Sequence, residues 1–171
     1  MAAKEQFPFL AEVMTDKVHI RAGQNKSFES LGRLAKGAAV VVVGRSYDWY
    51  KIKLPANALS YIRNDYLQML GDNIGEVVSQ RVNVRAGAGV NFTSLGQLSK
   101  GTKVRVFETA QGWYKIEPME GCYGWVAVEF LAFKSKEIPS QAAVRFPHIL
   151  ASILAHKPFF LTAGMNDYFL N

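Results

Sequence analysis

One cysteine, Cys122, among 171 residues excludes an internal disulfide, so any small module in this chain must be stabilised by packing alone. A thiol count this low does not assign a redox compartment. No run reaches the roughly 18 apolar residues of a membrane-spanning helix. Residues 1–10 lack the apolar stretch after a basic start that marks a signal peptide, so either the protein is cytoplasmic, or an export signal lies upstream, or it has been removed. Histidines number three. His148 and His156 are eight positions apart, roughly 80° around a helix, which does not suit a metal pair, and no third ligand is in view. His19 reads as an exposed strand residue. No glycine-rich loop precedes a helix, and Arg85-Ala86-Gly87-Ala88-Gly89 leads instead into a strand pattern. Cys122 lies in a loop slot that is also filled by Ala58, and so reads as a filler and not as a thiolate nucleophile. No catalytic residue, metal or cofactor is expected.

What is present is a duplication. Trp49-Tyr50-Lys51-Ile52 returns as Trp113-Tyr114-Lys115-Ile116, and an ungapped shift of 64 aligns residues 18–67 with 82–131 at 18 identical positions of 50. Arg21-Ala22-Gly23 falls on Arg85-Ala86-Gly87, Ser30-Leu31-Gly32 on Ser94-Leu95-Gly96, and Lys36-Gly37 on Lys100-Gly101. Side chains alternate across a strand, so one aromatic of each tetrad goes to the core and the other faces outward. Trp49 and Trp113, each just after a turn, are expected to be the half-buried structural ones. Charge is uneven: eight basic against three acidic side chains over 18–70, and seven against five over 74–134. The first copy is therefore the one expected to attract anions.

Short apolar runs separated by Gly, Asn and Asp turn signals give about five strands per copy, with no sustained helical period. The fold class is all-β: two tandem small β-barrels with a short C-terminal helical or irregular tail. The expected boundaries are a leader over 1–10, module 1 over 11–70, a turn-bearing linker around 71–73, module 2 over 74–133, and a linker and tail over 134–171. So short a linker should hold the modules docked. Pro147 and Pro158 frame a short helix at about 147–157, with Ile149, Leu150, Ile153 and Leu154 on one face.

These residues resemble the bacterial SH3-like domain, SH3b. The second copy carries Val82-Asn83-Val84-Arg85-Ala86-Gly87, Leu95-Gly96-Gln97-Leu98, Gly112-Trp113-Tyr114-Lys115-Ile116, Gly124-Trp125-Val126 and Phe130-Leu131. The first departs at Ser60-Tyr61-Ile62 and at His19. The resemblance implies a small non-catalytic barrel of the bacterial envelope that recognises peptidoglycan, typically its peptide part. It places the protein at the cell envelope, periplasmic or extracellular. The expected ligand-binding residues are Tyr50, Tyr61, Tyr114, Trp125, Arg21 and Arg85. Aromatics at these places offer contact area for little lost entropy. The arginines end strands beside turn glycines, where closing hydrogen bonds explain them as well as a ligand does. An alternative is a protein–protein adaptor that uses the barrels or the tail helix. Nucleic acid is not expected, because basic and aromatic residues are not interleaved along an evident groove.

Overall fold

The computed structural model describes residues 4–139. Within them the chain is nearly all strand, with two single 3-10 turns at Asn64–Tyr66 and Val128–Phe130. The first copy supplies β1 (Phe9–Val13), β2 (Val18–Arg21), β3 (Ser30–Leu34), β4 (Ala39–Ser46), β5 (Trp49–Lys53), β6 (Tyr61–Arg63) and β7 (Leu67–Gly71). The second supplies β8 (Ile74–Val77), β9 (Val82–Arg85), β10 (Ser94–Leu98), β11 (Lys103–Ala110), β12 (Trp113–Ile116), β13 (Tyr123–Ala127) and β14 (Leu131–Ser135). The helix expected at about 147–157 lies outside the described residues.

The strands form two seven-stranded sheets, ordered β14-β1-β4-β5-β13-β2-β3 and β10-β9-β6-β12-β11-β8-β7. These orders are the same under the 64-residue shift, with one difference from the sequence expectation: the last two strands of each copy are exchanged. β13 inserts between β5 and β2 of the first copy. β6 inserts between β12 and β9 of the second. Contiguous barrels over 11–70 and 74–133 are therefore not what forms. One lobe is assembled from 9–53 and 123–135, and the other from the unbroken stretch 61–116.

The segment around 71–73, expected to link two modules, is a hairpin turn inside the second lobe. Asp72 and Asn73 both take positive φ, 53° and 60°, which a two-residue turn between twisted strands requires. The real connections between lobes are 54–60 and 117–122, which correspond to each other under the repeat. Both begin at an X-Pro step, Leu54-Pro55 and Glu117-Pro118, where the residue before proline is driven toward extended backbone. Neither folds back as a tight hairpin, so the chain runs on to the other lobe.

The exchanged strands are tied down in the same way on both sides. Val128 N–H donates to the Asp48 carbonyl and Asn64 N–H to the Gly112 carbonyl, each at 2.9 Å. One apolar cluster runs through both lobes, from Val42, Ile52 and Ile20 through Leu54, Ala58 and Cys122 to Ile116, Val84 and Ile62. The lobes are thus docked, as the short connections imply. Across the junction Glu29 accepts hydrogen bonds from the Thr93 backbone N–H at 3.0 Å and the Thr93 Oγ1 at 2.8 Å. Burial pushes the Glu29 carboxyl up, but the bonds from Thr93, with one from its own backbone, outweigh it and hold the group below its usual range. This bond contributes stability above the ordinary carboxylate range and loses it as pH falls through the folded value.

Gly96 of the second lobe packs tightly on the connection 117–122. It bridges Cys122, and a Cβ there would collide with the Gly121 carbonyl oxygen, which is backbone and cannot swing away. Gly96→Ala is expected to cost about 1–3 kcal/mol by overpacking, read as a lower denaturant midpoint at unchanged slope. The exchange makes a sharper prediction for fragments. A peptide spanning 57–119 contains every strand of the second lobe and should give dispersed amide NMR signals. In the full chain, cross-strand amide NOEs should join β6 to β12 and β13 to β5. NOEs joining β13 to β12 instead would contradict the exchanged topology.

Candidate functional site

Period-two alternation places Tyr50 and Ile52 on one face of β5 and Trp49 and Lys51 on the other. Ile52 is fully buried and Tyr50 packs on the core cluster; Ile116 and Tyr114 repeat this in β12. The core is thus pinned by isoleucine. The tryptophans expected to be structural are half-buried and stand on the outer face.

Directly opposed residues on paired strands share a face. Trp125 lies opposite Lys51 on one side and Arg21 on the other. Tyr61 lies opposite Lys115 and Arg85. Each lobe therefore carries a row of lysine, aromatic and arginine across three strands. Two contiguous modules would have put Arg21 with Tyr61 and Arg85 with Trp125. The exchange reverses these pairings, because the aromatic arrives from the other copy. In the first lobe Lys51 Nζ sits 4.6 Å from the Tyr123 ring centre and 5.9 Å from that of Trp125, so the row is a cation–aromatic stack.

Tyr50 and Tyr114, facing the core side, are not brought into these rows. Tyr50 contacts the Phe9 ring edge-on and donates its hydroxyl to Glu5 at 2.8 Å. Burial, then that bond and the charge of Glu5, raise its pKa, against a smaller opposing effect of Arg45. Tyr50 lines a separate shallow recess with Phe9 and Phe133.

Beside each row lies a groove, and the two grooves occupy equivalent places. The first, about 300 Å³, is lined by Lys17, His19, Arg21 and Trp49 together with Ala127 and Phe130 from the second copy. The other, about 190 Å³, is lined by Arg81, Asn83, Arg85 and Trp113 with Arg63 and Tyr66 from the first copy. Neither groove can be built from one repeat. The arginines are oriented alike: Arg21 Nη1 donates to the Phe28 carbonyl at 3.4 Å, and Arg85 Nη1 to the Phe92 carbonyl at 3.0 Å. One N–H of five is used in each, so the guanidinium is held while donors remain.

Trp49, Trp113, Phe130 and Tyr66 were not among the expected ligand residues. The signal for the tryptophans was present in the tetrad alternation. The signal for Phe130 and Tyr66 was not, because their grooves belong to the opposite copy. The charge expectation also changes. Exchange carries Arg63 to the second lobe, leaving nine basic and five acidic side chains over 9–53 and 123–135, against seven and four over 61–116. The lobes are nearly matched in net charge.

Among the described residues no group of three or more His, Cys, Asp or Glu side chains could hold a metal ion. Cys122 is buried at the junction, in the slot that Ala58 fills on the other side. His148 and His156 lie outside the described residues. No helix of the described residues is long and apolar enough to cross a membrane.

Paired seven-stranded lobes with open grooves of indole and guanidinium define a duplicated all-β module of the small SH3-like kind. The family model for the bacterial SH3 domain matches twice, at residues 16–68 and 80–132, more than half of the chain, and the protein belongs to that family. It is also similar to "Putative N-acetylmuramoyl-L-alanine amidase YrvJ" of Bacillus subtilis (strain 168), 26% identical over 165 residues, covering 87% of this chain and 30% of the relative. The chain thus spans less than a third of that relative's length.

His19 lines the first groove. Its Nδ1 lies 2.7 Å from Ser30 Oγ. Burial, then the charges of Arg21 and Arg33, hold its pKa below the ordinary 6.5. The folded state therefore resists protonation that the unfolded chain accepts. Stability is unaffected above that ordinary value and declines as pH drops through it toward the folded value. The denaturant midpoint of the native protein should fall more between pH 7 and pH 5 than that of His19→Asn, which carries the residue found at the equivalent Asn83. Equal falls would show that His19 does not couple to stability.

Proposed function

We propose that the protein is a non-catalytic binding module of the bacterial envelope that recognises peptidoglycan or a related cell-wall polymer, with the two equivalent grooves as its binding faces. The observation that carries this reading is the repetition of one arrangement, a half-buried indole beside a tethered arginine, in both lobes despite the low identity between copies. A ring with one face in solvent supplies contact area to a sugar or peptide at small entropic cost, and an oriented guanidinium supplies directed donors. Membership in the bacterial SH3 family and similarity to a stretch of a protein named as a cell-wall amidase support the same target and an envelope location. Of the residues expected from sequence, Arg21, Arg85, Trp125 and Tyr61 take part through the rows beside the grooves. Tyr50 and Tyr114 contribute by packing.

Two grooves in fixed relation on one rigid pair of lobes can engage a repeating polymer at two points, which raises apparent affinity without new contacts. Purified sacculi should therefore sediment the protein. Trp49→Ala and Trp113→Ala, each outside the buried cluster, should each weaken sedimentation about tenfold, and together by more than either alone. Absence of sedimentation at both low and physiological salt would overturn the reading. So would full binding by the double variant with its fold verified by circular dichroism.

A further inference from the structure

The two grooves occupy equivalent places but are not chemically equivalent. In the first, the positions of Arg63, Gln80 and Arg81 are held by Ala127, Asp16 and Lys17. The first groove thus sets two lysines, Lys17 and Lys26, and one arginine, Arg21, beside a carboxylate in its own wall, Asp16. The second has three arginines and no carboxylate in its lining.

We propose that the second groove is an oxyanion site, which receives a carboxylate or phosphodiester group of the ligand on Arg63, Arg81 and Arg85 beside the Trp113 ring. It rests on the reading of the grooves as binding faces and names the chemistry of one of them. The strand exchange assembles it: β6 brings Arg63 opposite Trp113, and brings Tyr61 opposite Arg85. Arg85 is oriented through Nη1 by the Phe92 carbonyl. Arg63 is oriented through Nε by Asp65 at 2.9 Å. Among the described residues Asp65 is the only carboxylate in ion-pair reach of the three arginines, so one negative charge meets three positive ones. Arg81 sits at the mouth with φ of 53°, a left-handed conformation uncommon for a non-glycine residue, and Lys17 repeats it at the other groove with φ of 58°. Such backbone persists where the surroundings hold it and is concentrated at ligand sites. Guanidinium forks match the planar oxygens of carboxylate and phosphate, and an arriving anion relieves the mutual repulsion of the three cations.

The test follows the Trp113 indole N–H signal by NMR in the full chain, assigned by its loss in Trp113→Phe. Four probes are compared: N-acetyl-alanyl-alanine with its free carboxylate, the same dipeptide as its amide, poly(glycerol phosphate), and glycerol. At least one anionic probe should shift the Trp113 signal saturably, the amide and glycerol should not, and the tighter of the two anions identifies the source of the oxyanion. Arg81→Gln, at an exposed position, and separately Arg63→Gln should weaken the anion about tenfold with unchanged unfolding midpoint, and added salt should weaken it further. Neutral probes binding as well as anions, shifts confined to Trp49, or wild-type affinity in both variants would overturn the site. Sacculi retained at full strength by both variants, with no anion shift at Trp113, would remove the oxyanion site and leave polymer binding in place. An anion shift without any sedimentation of sacculi would do the reverse.

Discussion

The insertion of β13 between β5 and β2, and of β6 between β12 and β9, is the constraint on which the rest of the molecule depends. Each inserted strand completes backbone pairing on two neighbours at once, which would otherwise present unpaired edges. Because the inserted strand comes from the other copy, each lobe is closed only when both copies are in place. The Val128–Asp48 and Asn64–Gly112 bonds, the Glu29–Thr93 clamp and the close approach of Gly96 to Gly121 all follow from the two crossings. A module of about sixty residues sits near the lower limit of independent stability, and neither lobe has a disulfide. Exchange lets the two cores merge into one cluster and meets that limit by size.

The same insertion builds the two grooves. Trp125 next to Arg21, Tyr61 next to Arg85, Arg63 next to Trp113: none of these neighbours belongs to the same repeat. A groove assembled from two copies can diverge on one wall while the other is retained. Ala127 against Arg63 is such a divergence, and with it the second groove gains a third arginine. Duplication with exchange thus produces two related but unlike grooves in one protein.

Much of the fold was legible before coordinates. The 64-residue shift, the Gly and Asn turn signals and the Trp-Tyr-Lys-Ile alternation correctly indicated short strands, two matching lobes and an outward aromatic in each. The choice of which aromatic faces outward went the other way. Tryptophan is the larger apolar ring and was assigned to the core, but Ile52 and Ile116 already fill it, and the strand period then sends Trp49 and Trp113 outside. For Arg21 and Arg85 the turn glycine left closing hydrogen bonds and a ligand role both open; each makes the closing bond, to the Phe28 and Phe92 carbonyls, and also lines a groove. Phe130 and Tyr66 were not, since no local pattern reports on a groove in the opposite lobe.

By itself the amino-acid sequence determined that the chain forms short strands broken by turns and that two copies share one pattern; it gave about five strands per copy where seven form, because the hairpin at β7 and β8 carries the same turn signal as a linker. These are properties of neighbouring residues, set by side-chain alternation, turn chemistry and the burial of Val and Ile. Tertiary structure alone decided which copy supplies each closing strand. Ser60-Tyr61-Ile62-Arg63 and Gly124-Trp125-Val126-Ala127 have near-equivalent patterns and could pair with either β5 or β12, so local preference is the same for both outcomes. The difference lies in the path of residues 54–60 and 117–122 and in the contacts made where they cross, which exist only once both lobes are folded.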